Sequence, residues 1–187
     1  MQIIRGIIYV LTKGLGIPLL PDNFNIIAQK QFYGIQTPVF VMIIIVIFAE
    51  VFYRKSIFFK QYYFIGGNEE SARLSGIKVD LLKWLAYIFT GTLSALAGIL
   101  MASRMGGAQS AAGMGVEMRV ITACVIGGCS LAGGEGTILG SFLGVLLMAL
   151  VRNAFNLLGV SVYWQTTAMG SILLMAVLMD VLRRRAE

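Results

Sequence analysis

Twenty consecutive residues, Trp84 to Ser103, carry no charge. As a helix rising 1.5 Å per residue, such a run is about 30 Å long, which matches the hydrocarbon core of a bilayer. A second uncharged run, Asn153 to Met179, has 27 residues, and Thr37 to Ala49, Val120 to Gly134 and Thr137 to Val151 add three more. This pattern predicts an all-α, polytopic transmembrane bundle. Composition removes the other classes. The chain is 58% hydrophobic and 13% charged, against about 45–50% and about 25% for soluble domains. Too few charges remain to cover a water-soluble globule, which excludes a soluble enzyme, a disordered tail and a nucleic-acid module.

No chemistry of its own is expected. The chain contains no histidine and only two cysteines, Cys124 and Cys129, both in an apolar stretch where they read as small packing residues. The usual metal ligand and general base are therefore missing, so no metal, no cofactor and no catalytic residue is expected. The doublets Gly127–Gly128 and Gly133–Gly134 lack the lysine of a phosphate-binding loop. They read as helix interruptions, which bilayers tolerate where the freed backbone is buried in protein or lines a cavity.

Residues 1–12 read as the tail end of a helix, without the cleavage pattern of a signal peptide. Residues 13–36, with Pro18, Pro21, Asp22, Asn23 and Asn25, read as a polar loop. Residues 54–83 carry six basic groups against three acids. The positive-inside bias places this segment, and the C-terminal Arg183–Arg184–Arg185, on the cytoplasmic side. An even number of crossings must separate them. The runs 84–103, 120–134, 137–156 and 162–182 supply four, so 120–134 is expected to cross, in broken form if need be. With 37–53 this makes five full spans plus the N-terminal stub, and a turn is expected at Gly159–Ser161. Glu50 is expected to snorkel beside Arg54, and Tyr163 and Trp164 to anchor at an interface.

Gly136, Gly140 and Gly144 recur every fourth residue, and Ser94, Gly98 and Ala102 repeat that spacing. Hydrocarbon supplies no hydrophobic drive between helices, so small-residue seams of this kind are where close packing is expected. Polar residues in or beside the spans, Gln109, Glu117, Asn153 and Asn156, are candidate pathway positions, since polar groups within a membrane usually face a cavity or a partner.

The sharpest local feature is Gly66-Gly67-Asn68-Glu69-Glu70-Ser71-Ala72-Arg73-Leu74-Ser75-Gly76-Ile77. Asn68 is a helix N-cap, Glu69 and Glu70 complement the dipole in the first turn, and Gly76 ends the helix after two turns. A short capped helix between two spans suits insertion into a groove on a soluble partner. The alternative is a plain connecting turn.

Glu70-Ser71-Ala72, followed after three residues by Gly76, resembles the Glu-Ala-Ala-x-x-x-Gly coupling motif of ABC-importer permeases. Gly66 to Ile77 as a whole is similar to the corresponding loop of the monosaccharide permeases for ribose, arabinose, xylose and galactose. The resemblance continues through Ala97–Arg104, Val120–Gly140, Asn153–Val160 and Gly170–Asp180, and on Ser103–Met105, Val120–Cys124 and Gly170–Leu174 the arabinose branch is nearest. It implies a permease domain over 1–187 with a cytoplasmic coupling loop at 54–83. Asn68, Glu69, Glu70, Ala72, Arg73 and Gly76 would meet a separate ATP-binding subunit. A second permease subunit, a periplasmic sugar-binding protein and the lipid of a bacterial inner membrane complete the implied partners, with no nucleic acid among them. Two departures stand out. The chain resembles only the C-terminal portion of these longer permeases, and Arg119 stands where they commonly carry an acid or an apolar residue. The competing readings are an inert fragment, an importer of another small solute, and a small membrane-embedded enzyme or channel.

Overall fold

The computed structural model describes residues 2–186, with side chains as far as Leu182. The side chains of Arg183, Arg184 and Arg185, which carried the sequence assignment of the C-terminus, lie outside the described part. Nearly everything is helix: α1 (Gln2–Thr12), α2 (Asp22–Gln29), α3 (Thr37–Lys55), α4 (Ile57–Gly67), α5 (Glu69–Leu74), α6 (Val79–Met105), α7 (Val116–Ile126), α8 (Ile138–Leu157) and α9 (Val162–Ala186). Four two-residue strands, β1 (Ile17–Pro18), β2 (Gln31–Phe32), β3 (Ile35–Gln36) and β4 (Gly107–Ala108), form two antiparallel pairs, β1 with β4 and β2 with β3.

Among the described residues, α3, α6, α8 and α9 are long and apolar enough to cross a membrane. The chain is a multi-pass membrane protein built as a helical bundle. Large apolar side chains such as Ile44, Phe48, Trp84, Leu143 and Leu150 stay exposed within the chain, because lipid or neighbouring protein is the medium that covers them.

The fifth run, expected to cross in broken form, is interrupted at the Gly127–Gly128 doublet that reads as a helix interruption. Helix α7 begins at Val116, four residues before the uncharged run, and stops at Ile126. Eleven helical residues measure about 16 Å, too short to cross alone. The stop is at the Gly127–Gly128 doublet, where Gly128 takes a left-handed φ of +87°, as glycine does without a Cβ penalty. The polar loop 13–36 is more ordered than expected, since it holds α2 and the β2–β3 hairpin. The turn at Gly159 and the α9 start at Val162 match the expectation.

The chain forms two compact units. The first joins the segment up to Ile45 with Asp80–Met114. Here α2 is fastened to the end of α6 by Ser103, which is fully buried. Its hydroxyl accepts from the Ala28 amide at 2.9 Å and faces the Phe24 and Asn25 carbonyls at 2.7 and 3.1 Å as donor. The second unit joins Val46–Val79 with Gly115 onward, and its interior includes Ala72, Thr122, Ala123, Val125, Met148 and Gln165.

Within the second unit, α8 and α9 run in opposite directions through the turn at Gly159. At that turn Gln165 Nε2 donates to Asn156 Oδ1 and to the Val160 carbonyl, at 3.0 and 2.9 Å. At the other end lie the start of α8, Asp180 near the end of α9, and the end of α4. Residues 127–137 reach all three. Ser130 Oγ donates to Asp180 Oδ2 at 3.1 Å, and Tyr63 OH donates to the Gly136 carbonyl. The start of α7 lies toward the Gly159 end, because Val116 and Arg119 share a groove with Arg152 and Met169. Residues 116–137 thus run alongside α8 from its Gly159 end to its start, as a short helix completed by irregular backbone.

Candidate functional site

Helix α5 forms as its residues require. Asn68 takes an extended conformation and its Oδ1 accepts from the Ser71 amide at 3.0 Å, satisfying a donor that no helical carbonyl reaches. Glu69 pairs with Arg73 one turn later at 3.3 Å; both side chains are largely solvated, so the pair adds little beyond orientation. The C-terminus closes as a complete Schellman motif. The Ile77 amide donates to the Ala72 carbonyl at 3.1 Å, and the Gly76 amide donates to that of Arg73 at 3.0 Å. This closure needs the left-handed backbone found at Gly76, φ +80°.

Only one side of α5 faces inward. Ala72 is 3% exposed, while Glu70 and Arg73 are exposed and Leu74 stands 85% exposed. A groove of about 500 Å³ lies between α5 and the last turn of α4, lined by Tyr63, Phe64, Asn68, Ser71, Ala72 and Ser75. Burial pushes the Tyr62 phenol, on α4, above its ordinary pKa. The exposed Phe64 ring and Leu74, beside small residues and the Glu70 carboxylate, make a surface suited to a protein partner.

The sequence marks α5 but not the backbone that its neighbour α4 leans on. Helix α4 meets residues 133–134 backbone to backbone. A Cβ on Gly66 would overlap the Gly134 amide and lie 2.9 Å from Gly134 Cα, and one on Gly133 would lie 2.8 Å from Gly66 Cα. The doublets were visible in the sequence, but nothing in it paired one with the other. Aromatic contacts bind this region further, with Tyr53 and Tyr63 rings 5.3 Å apart and Phe59 within 6.2 Å of both Tyr53 and Tyr62.

The two small-residue repeats fare differently. A Cβ on Gly144 would overlap the Ala123 carbonyl and lie 2.9 Å from the Gly127 amide, and one on Gly140 would overlap the Gly127 carbonyl. Both glycines face α7. Gly136 precedes α8, with φ +146°, and its Cβ would press on Cys129 at 2.7 Å from the sulfur. On α6, Ser94 is exposed and a Cβ on Gly98 would meet nothing within 4 Å.

The four pathway candidates are divided between the two units. Gln109 belongs to the first unit, in a pocket of about 360 Å³ shared with Gly16–Leu19 and Met105–Ala108. In the second unit, Glu117 is half-buried in the first turn of α7, Asn153 is exposed on α8, and Asn156 is engaged by Gln165. Glu50 pairs with Arg54 in the last turns of α3. The described residues contain no group of three acids and cysteines placed to hold a metal ion.

Comparison with known proteins adds the family. Residues 2–182 match the family described as the permease component of the branched-chain amino acid transport system. The ribose import permease protein RbsC of Bacillus subtilis strain 168 is 41% identical over 182 residues, covering 96% of this chain and 56% of that protein. The L-arabinose transport system permease protein AraH of Escherichia coli K12 is 37% identical over 187 residues, 100% of this chain and 57% of that protein. RbsC of the same strain is 39% identical over 184 residues, 96% of this chain and 57% of that protein. The chain therefore spans a little over half the length of these relatives. No solved structure matches it.

Proposed function

The chain belongs to this permease family, and on that premise we propose that it forms part of the translocation pathway of a binding-protein-dependent importer. The relatives named for ribose and L-arabinose support a monosaccharide, and a pentose first, as the solute. Residues 54–83 are its cytoplasmic coupling loop, α5 the element that seats in a separate ATP-binding subunit, and a bacterial inner membrane the location. A second permease subunit completes the pathway, and a periplasmic sugar-binding protein delivers the solute. The observation that carries this reading is α5 itself: a helix closed at both ends by its own residues, anchored inward by Ala72, with Glu70 and Leu74 turned outward.

The mechanism is alternating access. ATP-driven closure of the ATPases displaces α5, and the packed spans respond by changing which side of the pathway is open. Such a switch requires contacts that differ in free energy between the two states. Residues 116–137 act as a broken crossing, which keeps the number of passages between the coupling loop and the C-terminus even and leaves both in the cytoplasm. Gln109, Glu117, Asn153 and Asn156 remain pathway candidates, and Asn68, Glu69, Glu70, Ala72, Arg73 and Gly76 the ATPase contact.

Substitution at Gly76 tests the coupling role. Proline cannot adopt φ +80° and lacks the amide that Gly76 donates to Arg73. In a reconstituted complex, Gly76→Pro is expected to abolish stimulation of ATP hydrolysis by loaded binding protein while insertion into the membrane is retained. Unchanged stimulation would remove α5 from the coupling role.

A further inference from the structure

Resting on that coupling role, we propose that Gly66, Gly133 and Gly134 form the joint through which displacement of α5 enters the membrane spans. Only Asn68 separates α4 from α5, so a push on α5 acts first on the end of α4. There Gly66 sits in helical backbone, with the peptide units of Gly133 and Gly134 where its Cβ would be. The fit is reciprocal: a Cβ on Gly133 would lie 2.8 Å from Gly66 Cα, and one on Gly134 3.1 Å from the Gly67 amide. No side chain intervenes. A rotamer change cannot absorb the movement, and closely packed protein has little compressibility with which to dissipate it.

Two further features make this contact a joint rather than a chance approach. Tyr63, about one turn before Gly66, donates to the Gly136 carbonyl. Contacts at two levels of α4 restrain its tilt against residues 133–136. From that segment, connections lead on to three helices. Ser130 holds Asp180 of α9 at 3.1 Å. Gly127 and Gly140 pack backbone on backbone, as do Ala123 and Gly144, which ties α7 to α8. Residues 127–136 thus touch the coupling arm at α4 together with α8 and α9, and they continue directly from α7.

The test uses the full chain in its assembled, reconstituted transporter and reads solute moved per ATP hydrolysed. Gly66→Ala adds one methyl group to a helical position, and Gly170→Ala makes the same change on α9 where nothing lies within 4 Å. Gly66→Ala is expected to retain the copurifying ATPase and basal hydrolysis, yet to lower the solute-to-ATP ratio about tenfold, within the usual range of coupling effects. Gly170→Ala keeps the normal ratio. Should Gly66→Ala fail to fold, Ser130→Ala removes the bond to Asp180 without adding bulk, and is expected to lower the ratio about threefold. A normal ratio in folded Gly66→Ala, or in Ser130→Ala, overturns the joint and leaves the coupling role of α5 intact. Failure of the coupling role itself shows separately, as Gly76→Pro with unchanged stimulation.

Discussion

At Ser103 a single hydroxyl holds α2 against the end of α6, whereas at Gly66 and Gly133–Gly134 two stretches of backbone meet with nothing between them. The first fastens a short helix to a long apolar one, and the second fastens a short helix to irregular backbone. The first works through direction: a buried hydroxyl that accepts one bond and offers its proton to two carbonyls defines where α2 can sit. The second works through proximity, since removing Cβ lets backbones approach and gain dispersion contacts that are weak singly and large together. The two devices should therefore fail differently. A lost hydroxyl leaves backbone groups to find other partners, whereas an added methyl at a glycine contact must displace whole helices.

Gly144→Ala exposes this difference most strongly. Its Cβ would overlap the Ala123 carbonyl, and overpacking of this kind costs about 1–3 kcal/mol or more. A clear fall in thermal stability in detergent is expected, while the same substitution at Gly98, where no atom lies within 4 Å, is neutral or raises stability by about 0.5–1 kcal/mol through the lost flexibility of glycine. Equal effects at both positions would break the distinction between an occupied seam and an open one. If Gly98→Ala is damaging only in the assembled transporter, its face is where another subunit packs.

Ser103→Ala should cost less. The Ala28 amide lies in a helix, four residues after the Phe24 carbonyl, so on losing the hydroxyl it can return to the ordinary i→i−4 bond. The expected loss is about 1 kcal/mol, the net worth of a typical hydrogen bond, measured as a small shift in thermal unfolding. Protease sensitivity should rise in residues 13–36 and not in 127–137. A loss as large as that of Gly144→Ala would mean that the hydroxyl has no local substitute.

The long spans were legible because length and lack of charge are properties of a run, independent of what it packs against. Thr37–Lys55, Val79–Met105 and Ile138–Leu157 fall where uncharged residues cluster. Helix α5 was legible for a related reason: Asn68, Glu69 and Gly76 act on their own neighbours, and capping is written within a few positions. Hydropathy alone does not mark where the fifth run breaks, because an apolar segment reads alike whether it is helical or packed as irregular backbone; the Gly127–Gly128 doublet, read as a helix interruption, does mark it. The meeting of Gly66 with Gly133–Gly134 is longer in range still, 67 and 68 residues apart in sequence, and pairing of that kind leaves no periodicity. Ser103 shows the same limit. One serine at the end of an apolar helix gives no sign that it is fully buried with its bonding capacity engaged.

The account depends above all on α5 facing the cytoplasm, where an ATPase can reach it. Leu74, 85% exposed at the end of α5, is the position to probe, using Leu74→Cys and a membrane-impermeant maleimide with the unsubstituted chain measured alongside. The coupling role predicts labelling in inside-out vesicles and protection in intact cells. Labelling of Leu74→Cys in intact cells, above the level of the unsubstituted chain, would put α5 on the wrong side of the membrane and contradict it.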